Sequence, residues 1–515
     1  MIGAVAVRLL FVFLHPIDSD EPQHLHVAWA WSRALVQYRD VFDNHFPLLH
    51  LLFAPLMPFV PESSAVFLLM RLLIAPIAIG CAWILYCLGR DLIGTRGAAI
   101  AALTFSVMPP WLPKSVEFRN DTLWIFFWLA ALALIAARRR PAYAAAGVAA
   151  ALCLLTSVKA VPLLLAHLLA LVSQRQAVSP KVALRVACGA AIPLAAIAVF
   201  MVANGALDEM LYATLFFNAA VPVDAGRRIV GAAAFAIIAP ALALRRPRAL
   251  SEHPFALHLT LFALWYCVLL LCFWPILTPR DFLPLVPLAA LVIGASRIVR
   301  AAPAAMLIAA TLASVWYARL WRPADVSRQR FVDAAARLTA RDEYVFDMKG
   351  DAVFRRRPVY PIYDAVGRAL TSNGTIPDRG PEQIAARGCC VAMEDSERIP
   401  PRTRAFLNEH FIDAGPLRVC GSIARAGMFT IAVPQTYAVL ARDSSAVAID
   451  GVPYRGPRFF AAGRHTLTTT RRQRVTVIWW RAVACGRCGA RLRRASGEGK
   501  GAPEARTTPP SHTTR

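Results

Sequence analysis

From residue 1 to about 320 the chain is a succession of apolar runs, too long and too closely spaced for a fold in water. A helix needs roughly 20 mainly apolar residues to cross a bilayer, somewhat fewer when flanking side chains reach the interface. On that template eleven segments qualify, near 1–15, 64–88, 96–112, 121–137, 141–157, 160–173, 182–203, 229–244, 257–277, 282–298 and 302–319. At 57% hydrophobic and 17% charged residues, the composition falls outside that of ordinary soluble enzymes. Residues 1–320 therefore read as a polytopic α-helical membrane protein of about 11 spans.

The formal charge of +24 is carried mostly by arginine, since Lys114, Lys159, Lys181, Lys349 and Lys500 are the only lysines. In a soluble chain this excess would point to nucleic acid. Here the arginines sit in short connections between apolar runs, so topology accounts for them and nucleic acid is excluded as a partner. Arg90 and Arg96 follow the second run, and Arg138-Arg139-Arg140 follow the fourth. Arg175, Lys181 and Arg185 follow the sixth, Arg245, Arg246 and Arg248 the eighth, and Arg297 and Arg300 the tenth. Basic connections stay in the cytoplasm. The opposite set is then extracytoplasmic: 16–63, 113–120, the turn near 157–159, 204–228, 278–281 and everything after about 320.

That orientation gathers the unusual polar residues on one face. Asp20, Glu21, Glu117, Arg119, Asp121, Lys159 and Arg280 all fall at outer ends of helices. One such charge is an interfacial side chain reaching for water. Seven such charges, drawn from several connections on one side, can converge on a cavity. The outer face of a bacterial plasma membrane has neither nucleotide sugars nor ATP, so a transferase there needs a lipid-borne activated group. A polyprenyl-phosphate sugar fits, with its tail in the bilayer and its phosphate as leaving group. The chemistry needs a carboxylate to take the acceptor proton, for which Asp20 and Glu21 are the candidates. It also needs cations for the phosphate, for which Lys159, Arg280 and Arg119 are the candidates.

The rest of loop 16–63 is punctuated by Pro16, Pro22, Pro47, Pro55 and Pro58, which predicts two short amphipathic helices with Trp29 and Trp31 as interfacial anchors. His24, Asp40 and His45 are further candidate contributors. His24, His26 and His45 with Asp18 and Asp20 could hold a divalent metal, although the spacing fits no standard motif and the chemistry requires no cofactor.

Four stretches carry a family resemblance. Asp20-Glu21 followed by Tyr38-Arg39-Asp40-Val41-Phe42-Asp43-Asn44-His45-Phe46-Pro47 resembles the first outer loop of membrane glycosyltransferases of the GT-C class. Glu117-Phe118-Arg119-Asn120-Asp121, Thr156-Ser157-Val158-Lys159 and Pro279-Arg280-Asp281-Phe282-Leu283-Pro284 follow in the same order as in that class. The stretches resemble those of bacterial relatives of the protein O-mannosyltransferases and of the aminoarabinose lipid A transferases, over roughly residues 1–320. The resemblance implies Asp20 as catalytic base, with Glu21 positioning the base or the acceptor. It implies Lys159 and Arg280 on the lipid-linked phosphate, and Glu117, Arg119 and Asp121 shaping the sugar pocket. His24 and Asp281 stand where relatives often carry aromatics, which leaves the sugar open.

Residues 321–482 alternate as a soluble, extracytoplasmic α/β or β-rich domain, with strands expected around 342–347, 391–394, 446–453, 463–467 and 474–480. Cys389, Cys390 and Cys420 lie there and could pair in an oxidising space. Residues 483–515 read as a disordered basic tail. The expected function is transfer of a lipid-linked sugar, with inversion, to a lipid, glycan or protein acceptor. The alternative is a transporter or flippase for a lipid-linked or anionic solute, for which mid-membrane charges and internal repeats would be expected. The sequence shows neither.

Overall fold

The computed structural model describes residues 2–174, 178–221, 223–244, 254–424, 426–470 and 473–484. The tail expected from residue 483 falls almost wholly outside these, as do Arg175, Arg245, Arg246 and Arg248. The described chain forms two compact units. One comprises the described residues of 2–336, 347–377 and 398–400, and the other those of 337–346, 378–397 and 401–484.

In the first unit every expected apolar run is helical. Its helices include α1 (Ile2–Leu14), α2 (Glu21–Ser32), α3 (Leu48–Phe53), α4 (Ala65–Val107), α5 (Trp111–Val116), α6 (Asn120–Ala136), α7 (Arg140–Thr156), α8 (Ala160–Ser173) and α9 (Pro180–Ala203), then Ala225–Leu244, Pro254–Phe273, Leu285–Ala295 and Pro303–Tyr317. Hydrocarbon offers backbone groups no partners, so an apolar run there must bond within itself. The expected count of eleven crossings is not carried by helix length. Among the described residues three helices are long and apolar enough to cross a membrane: Ala65–Val107, Pro180–Ala203 and Pro254–Phe273. The first merges two expected spans, with a kink where Gly94 takes φ +73°.

Small residues let the helices approach closely. A Cβ on Gly147 would lie 2.0 Å from the Val186 carbonyl oxygen, and one on Gly189 would lie 2.0 Å from that of Ala144. The backbones of α7 and α9 therefore touch through these two glycines. The other face of α9 leaves Leu184, Ile192 and Val199 exposed, as suits lipid. The inner core is aromatic, with Phe105, Trp111, Trp124, Trp128 and Tyr266 fully or almost fully buried. Trp29 is no interfacial anchor. It is buried against Leu25 and Phe53 and stacks on His26 with ring centroids 5.5 Å apart.

The second unit is built on two sheets. Strands β1 (Val345–Phe346), β2 (Val391–Ala392), β3 (Phe411–Asp413), β4 (Arg418–Ala424), β5 (Gly427–Ile431), β6 (Gln435–Leu440), β7 (Val447–Ile449), β8 (Val452–Pro453), β9 (Arg458–Phe460), β10 (Gly463–Thr469) and β11 (Val475–Trp479) include all five stretches expected from the sequence. The larger sheet runs β1-β2-β4-β11-β6-β9 with β3 also on β4, and the smaller β5-β10-β7-β8. All five residues of β11 are buried, so this central strand is covered on both faces. Arg464, Thr466 and Thr468 of β10 face water while Leu467 is buried, which is the alternation of a one-sided sheet. Cys390 and Cys420 form a disulfide, and Cys389 beside them is buried.

Candidate functional site

Asp18 and Asp20 occupy the turn between α1 and α2, where the chain leaves one helix and reverses into the next. Asp20 is the residue before α2, and Pro22 in the first turn suits a position whose N–H has no helical partner. The turn is pinned by Glu21, which is fully buried. Its carboxylate accepts from Arg71 twice, at 2.8 and 2.5 Å, from the Asp18 N–H at 2.8 Å and from the Phe118 N–H at 3.0 Å. Arg71 also donates to the carbonyls of His15 and Pro16, at 2.7 and 2.9 Å. The adjacent carboxylates thus part company: Glu21 is locked inside the loop and Asp20 faces a field of cations.

Arg119 reaches Asp18 at 2.7 Å, Asp20 at close range, and Asp121 through Nε at 3.1 Å. Arg280 pairs with Asp18 through Nη2 and with Asp20 through Nη1 at 3.2 Å. Lys159 sits between Asp281 at 3.1 Å and Asp121 at 3.5 Å. Glu117 is buried one step away, between Lys114 at 2.6 Å and His15 at 3.0 Å. The sequence picked Asp20, Glu117, Arg119, Asp121, Lys159 and Arg280, and the structure brings all six together. Lys349, which it did not pick, contributes its Nζ to Asp20 Oδ1.

These pairings set the protonation states. Burial pushes the Asp18 carboxyl up, but Arg119 and Arg280 outweigh it and bring it down to about 2. Burial also works against ionised Asp20, and Arg119, Lys349 and Arg280 together hold it well below the usual carboxylate range. Both are charged at neutral pH.

The other loop candidates divide. His24 is buried beside His50, its Nδ1 2.9 Å from His50 Nε2, with His45 stacked obliquely at a centroid distance of 4.6 Å. Its imidazole thus fills the place of an aromatic ring. Burial, with His45 and His50 nearby, keeps it neutral. His45 pairs with Asp43 at 3.0 Å. Asp40 stands apart: it accepts from the Val36 N–H at 2.8 Å and pairs with its neighbour Arg39, so it caps a turn. His26 donates to the Val353 carbonyl at 2.9 Å. Among the described residues no three His, Cys, Asp or Glu side chains converge on a point where a metal could be held. Asp281, the other departure from the family pattern, accepts from the Thr278 N–H and hydroxyl at 2.6 and 2.8 Å, closing the turn that aims Arg280.

A cavity of about 560 Å³ opens beside the cluster. Three cations, Arg119, Lys159 and Arg280, and one carboxylate, Asp281, line one part of it, with Asn44, His45, Asn120 and Asn218 among the polar residues, while Val161, Leu165, Leu215, Leu269, Phe273 and Ile276 belong to the apolar lining. One cavity thus has a cationic end and an apolar wall. Asp20 is not in the lining; it stands directly behind Arg119 and Arg280.

Residues 47–203 match the family profile described as dolichyl-phosphate-mannose-protein mannosyltransferase. No curated protein matches the chain by sequence. Among solved structures, ArnT from Cupriavidus metallidurans bound to undecaprenyl phosphate superposes with a TM-score of 0.55 at 14% identity, covering 81% of this chain and 96% of that one. The apo state of the same protein superposes with a TM-score of 0.54 at the same identity and coverage. The resemblance to the GT-C membrane glycosyltransferases read from the sequence therefore holds, in a mannosyltransferase-family match over residues 47–203 and in an ArnT-like fold.

Proposed function

We propose that this chain transfers a sugar from a polyprenyl-phosphate donor to an acceptor hydroxyl at the extracytoplasmic face of a bacterial plasma membrane, with inversion. The observation that carries the reading is the cavity, cationic at one end and apolar along its wall, which suits a phosphate joined to a prenyl chain. That ArnT, which shares the fold, binds undecaprenyl phosphate supports the same class of ligand. The acceptor, whether lipid, glycan or protein, is left open.

In this reading Arg119, Lys159 and Arg280 hold the phosphate, and the apolar wall takes the first prenyl units. The acceptor oxygen attacks the anomeric carbon from the face opposite the phosphate, which inverts it. The acceptor proton passes to the Asp20 carboxylate. The bond between the anomeric carbon and the phosphate oxygen breaks, and its electron pair leaves with the polyprenyl phosphate, where the three cations stabilise the growing charge. Glu21 holds the loop that carries Asp20 and is a positioning residue. Glu117 and Asp121 fix Lys114, Arg119 and Lys159.

The test is transfer by the purified protein in lipid nanodiscs, offered a panel of polyprenyl-phosphate sugars, wild type against Asp20→Asn. Removal of a general base is expected to cost about 10²–10⁴-fold in rate. Undiminished transfer by Asp20→Asn would remove Asp20 from the role of base. Absence of transfer with every donor would remove the reaction class.

A further inference from the structure

We infer that Lys349 is the positioning residue that keeps the Asp20 carboxylate in place while the donor phosphate occupies Arg119 and Arg280, an inference that rests on the reading of Asp20 as the base. The two oxygens of Asp20 face different kinds of cation. Oδ2 faces Arg119 and Arg280, and both of these line the cavity. Oδ1 faces Lys349, which is 3% exposed, is not in the cavity lining, has Ser19 Oγ at 3.4 Å as a second partner of its Nζ, and lies within electrostatic reach of Asp351 and Asp364. A phosphate arriving at the arginines competes with Asp18 and Asp20 for their N–H groups. Lys349 lies outside that competition.

The consequence is chemical. A buried carboxylate with no cation beside it takes up a proton and stops being a base. One held by three cations is a weak proton acceptor. When the phosphate draws off the two arginines, Asp20 keeps one cation, stays ionised and gains basicity as the donor becomes seated. The acceptor proton then passes to Asp20 as the new glycosidic bond forms and the phosphate departs with its electron pair. The groups facing Asp20 are Arg119, Arg280, Lys349 and Asp18, with His24 and Asp364 further off.

Lys349 is delivered by a loop braced by its own hydrogen bonds. Asp347 accepts from the N–H groups of Gly350 at 2.7 Å and Ala352 at 2.8 Å, and Arg357 donates to Asp347 Oδ1 at 2.9 Å. Gly350 takes φ +103°, and a Cβ there would lie 2.6 Å from the Cβ of His26. The hydrogen bond from His26 to the Val353 carbonyl completes the clamp. The loop is thus seated on α2, the helix that begins immediately after Asp20.

The test is the pH profile of kcat for Lys349→Met and Lys349→Arg, with Asp20→Asn alongside and the folded fraction of each read by thermal unfolding. Loss of one adjacent cation raises a carboxylate pKa by about 1–3 units. Because the base must be ionised, the acid limb of Lys349→Met is expected to move up in pH by that amount, and Lys349→Arg to bring it back toward wild type. An unmoved acid limb in folded Lys349→Met overturns the inference, whether its rate is normal or uniformly low. Should Lys349→Met not fold, a wild-type rate and limb in Lys349→Arg supports the charge, and a limb moved by more than a unit in Lys349→Arg overturns it. Full activity of Asp20→Asn fails the underlying reading instead, which separates the two failures.

Discussion

At the scale of single residues, the Glu21–Arg71 pair shows how a buried ion pair fixes the loop that carries Asp18 and Asp20. Both side chains are buried, and each satisfies backbone groups of the loop as well as the other. Breaking one partner of such a pair leaves a buried charge, at a cost of about 3–5 kcal/mol. Arg71→Met is therefore expected to lower the unfolding temperature markedly in detergent. The double variant Arg71→Met/Glu21→Gln should lose less than the two single changes summed, because no charge is then left alone. A wild-type melting curve for Arg71→Met would show that the pair does not hold the loop. The sequence made the acidic pair visible but not its division of labour, since adjacency along the chain says nothing about which carboxylate turns inward. Lys349 was hidden for a different reason: it lies 329 residues from Asp20, and no motif surrounds it. One signal existed. The chain has five lysines, and Lys114, Lys159 and Lys349 all come to this site, while arginine serves nearly everywhere else.

At the scale of elements, the apolar runs were legible because hydrocarbon leaves the backbone only one local solution. Run after run is helical close to the expected limits: 141–157 was read and Arg140–Thr156 is found, 160–173 was read and Ala160–Ser173 is found. What the pattern could not show is how deeply helices interlock, because glycine in an apolar run looks like filler. Gly147 and Gly189 are contact points. A side chain at Gly189 would strike the Ala144 carbonyl, a backbone atom that cannot swing aside. Gly189→Val is expected to cost about 3 kcal/mol, the upper end for forced overpacking. It should lower the melting temperature of the solubilised protein, while Gly3→Ala in α1, with open space around the added methyl, leaves it unchanged. Equal melting of Gly189→Val and wild type would mean that α7 and α9 do not meet at these glycines.

At the scale of the whole molecule, the expectation that carries furthest is orientation, since a lipid-linked donor is required only on the side where no nucleotide sugar is available. By the charge rule, the arginine-bearing connections predict that the C-terminal unit lies outside the cytoplasm. Cysteine chemistry offers an independent check, because disulfides persist in the bacterial periplasm and are rare in the cytosol. Cys390, just before β2, and Cys420 in β4 are bonded in the structure and enclose a chain separation of 30 residues. Closing a loop of that length stabilises a domain by about 3–4 kcal/mol on the chain-entropy account. In a variant whose other cysteines are replaced by serine, both thiols should resist a maleimide added to denatured cells and react fully once a reductant has been applied first. The Cys390→Ser/Cys420→Ser protein should unfold at lower temperature than its parent in the same lipid. Immediate labelling without reductant would put the sheet-bearing unit in a reducing space. The charge rule would then have been read the wrong way round, and the cationic cavity would face a compartment where a nucleotide-linked donor serves as well as a lipid-linked one.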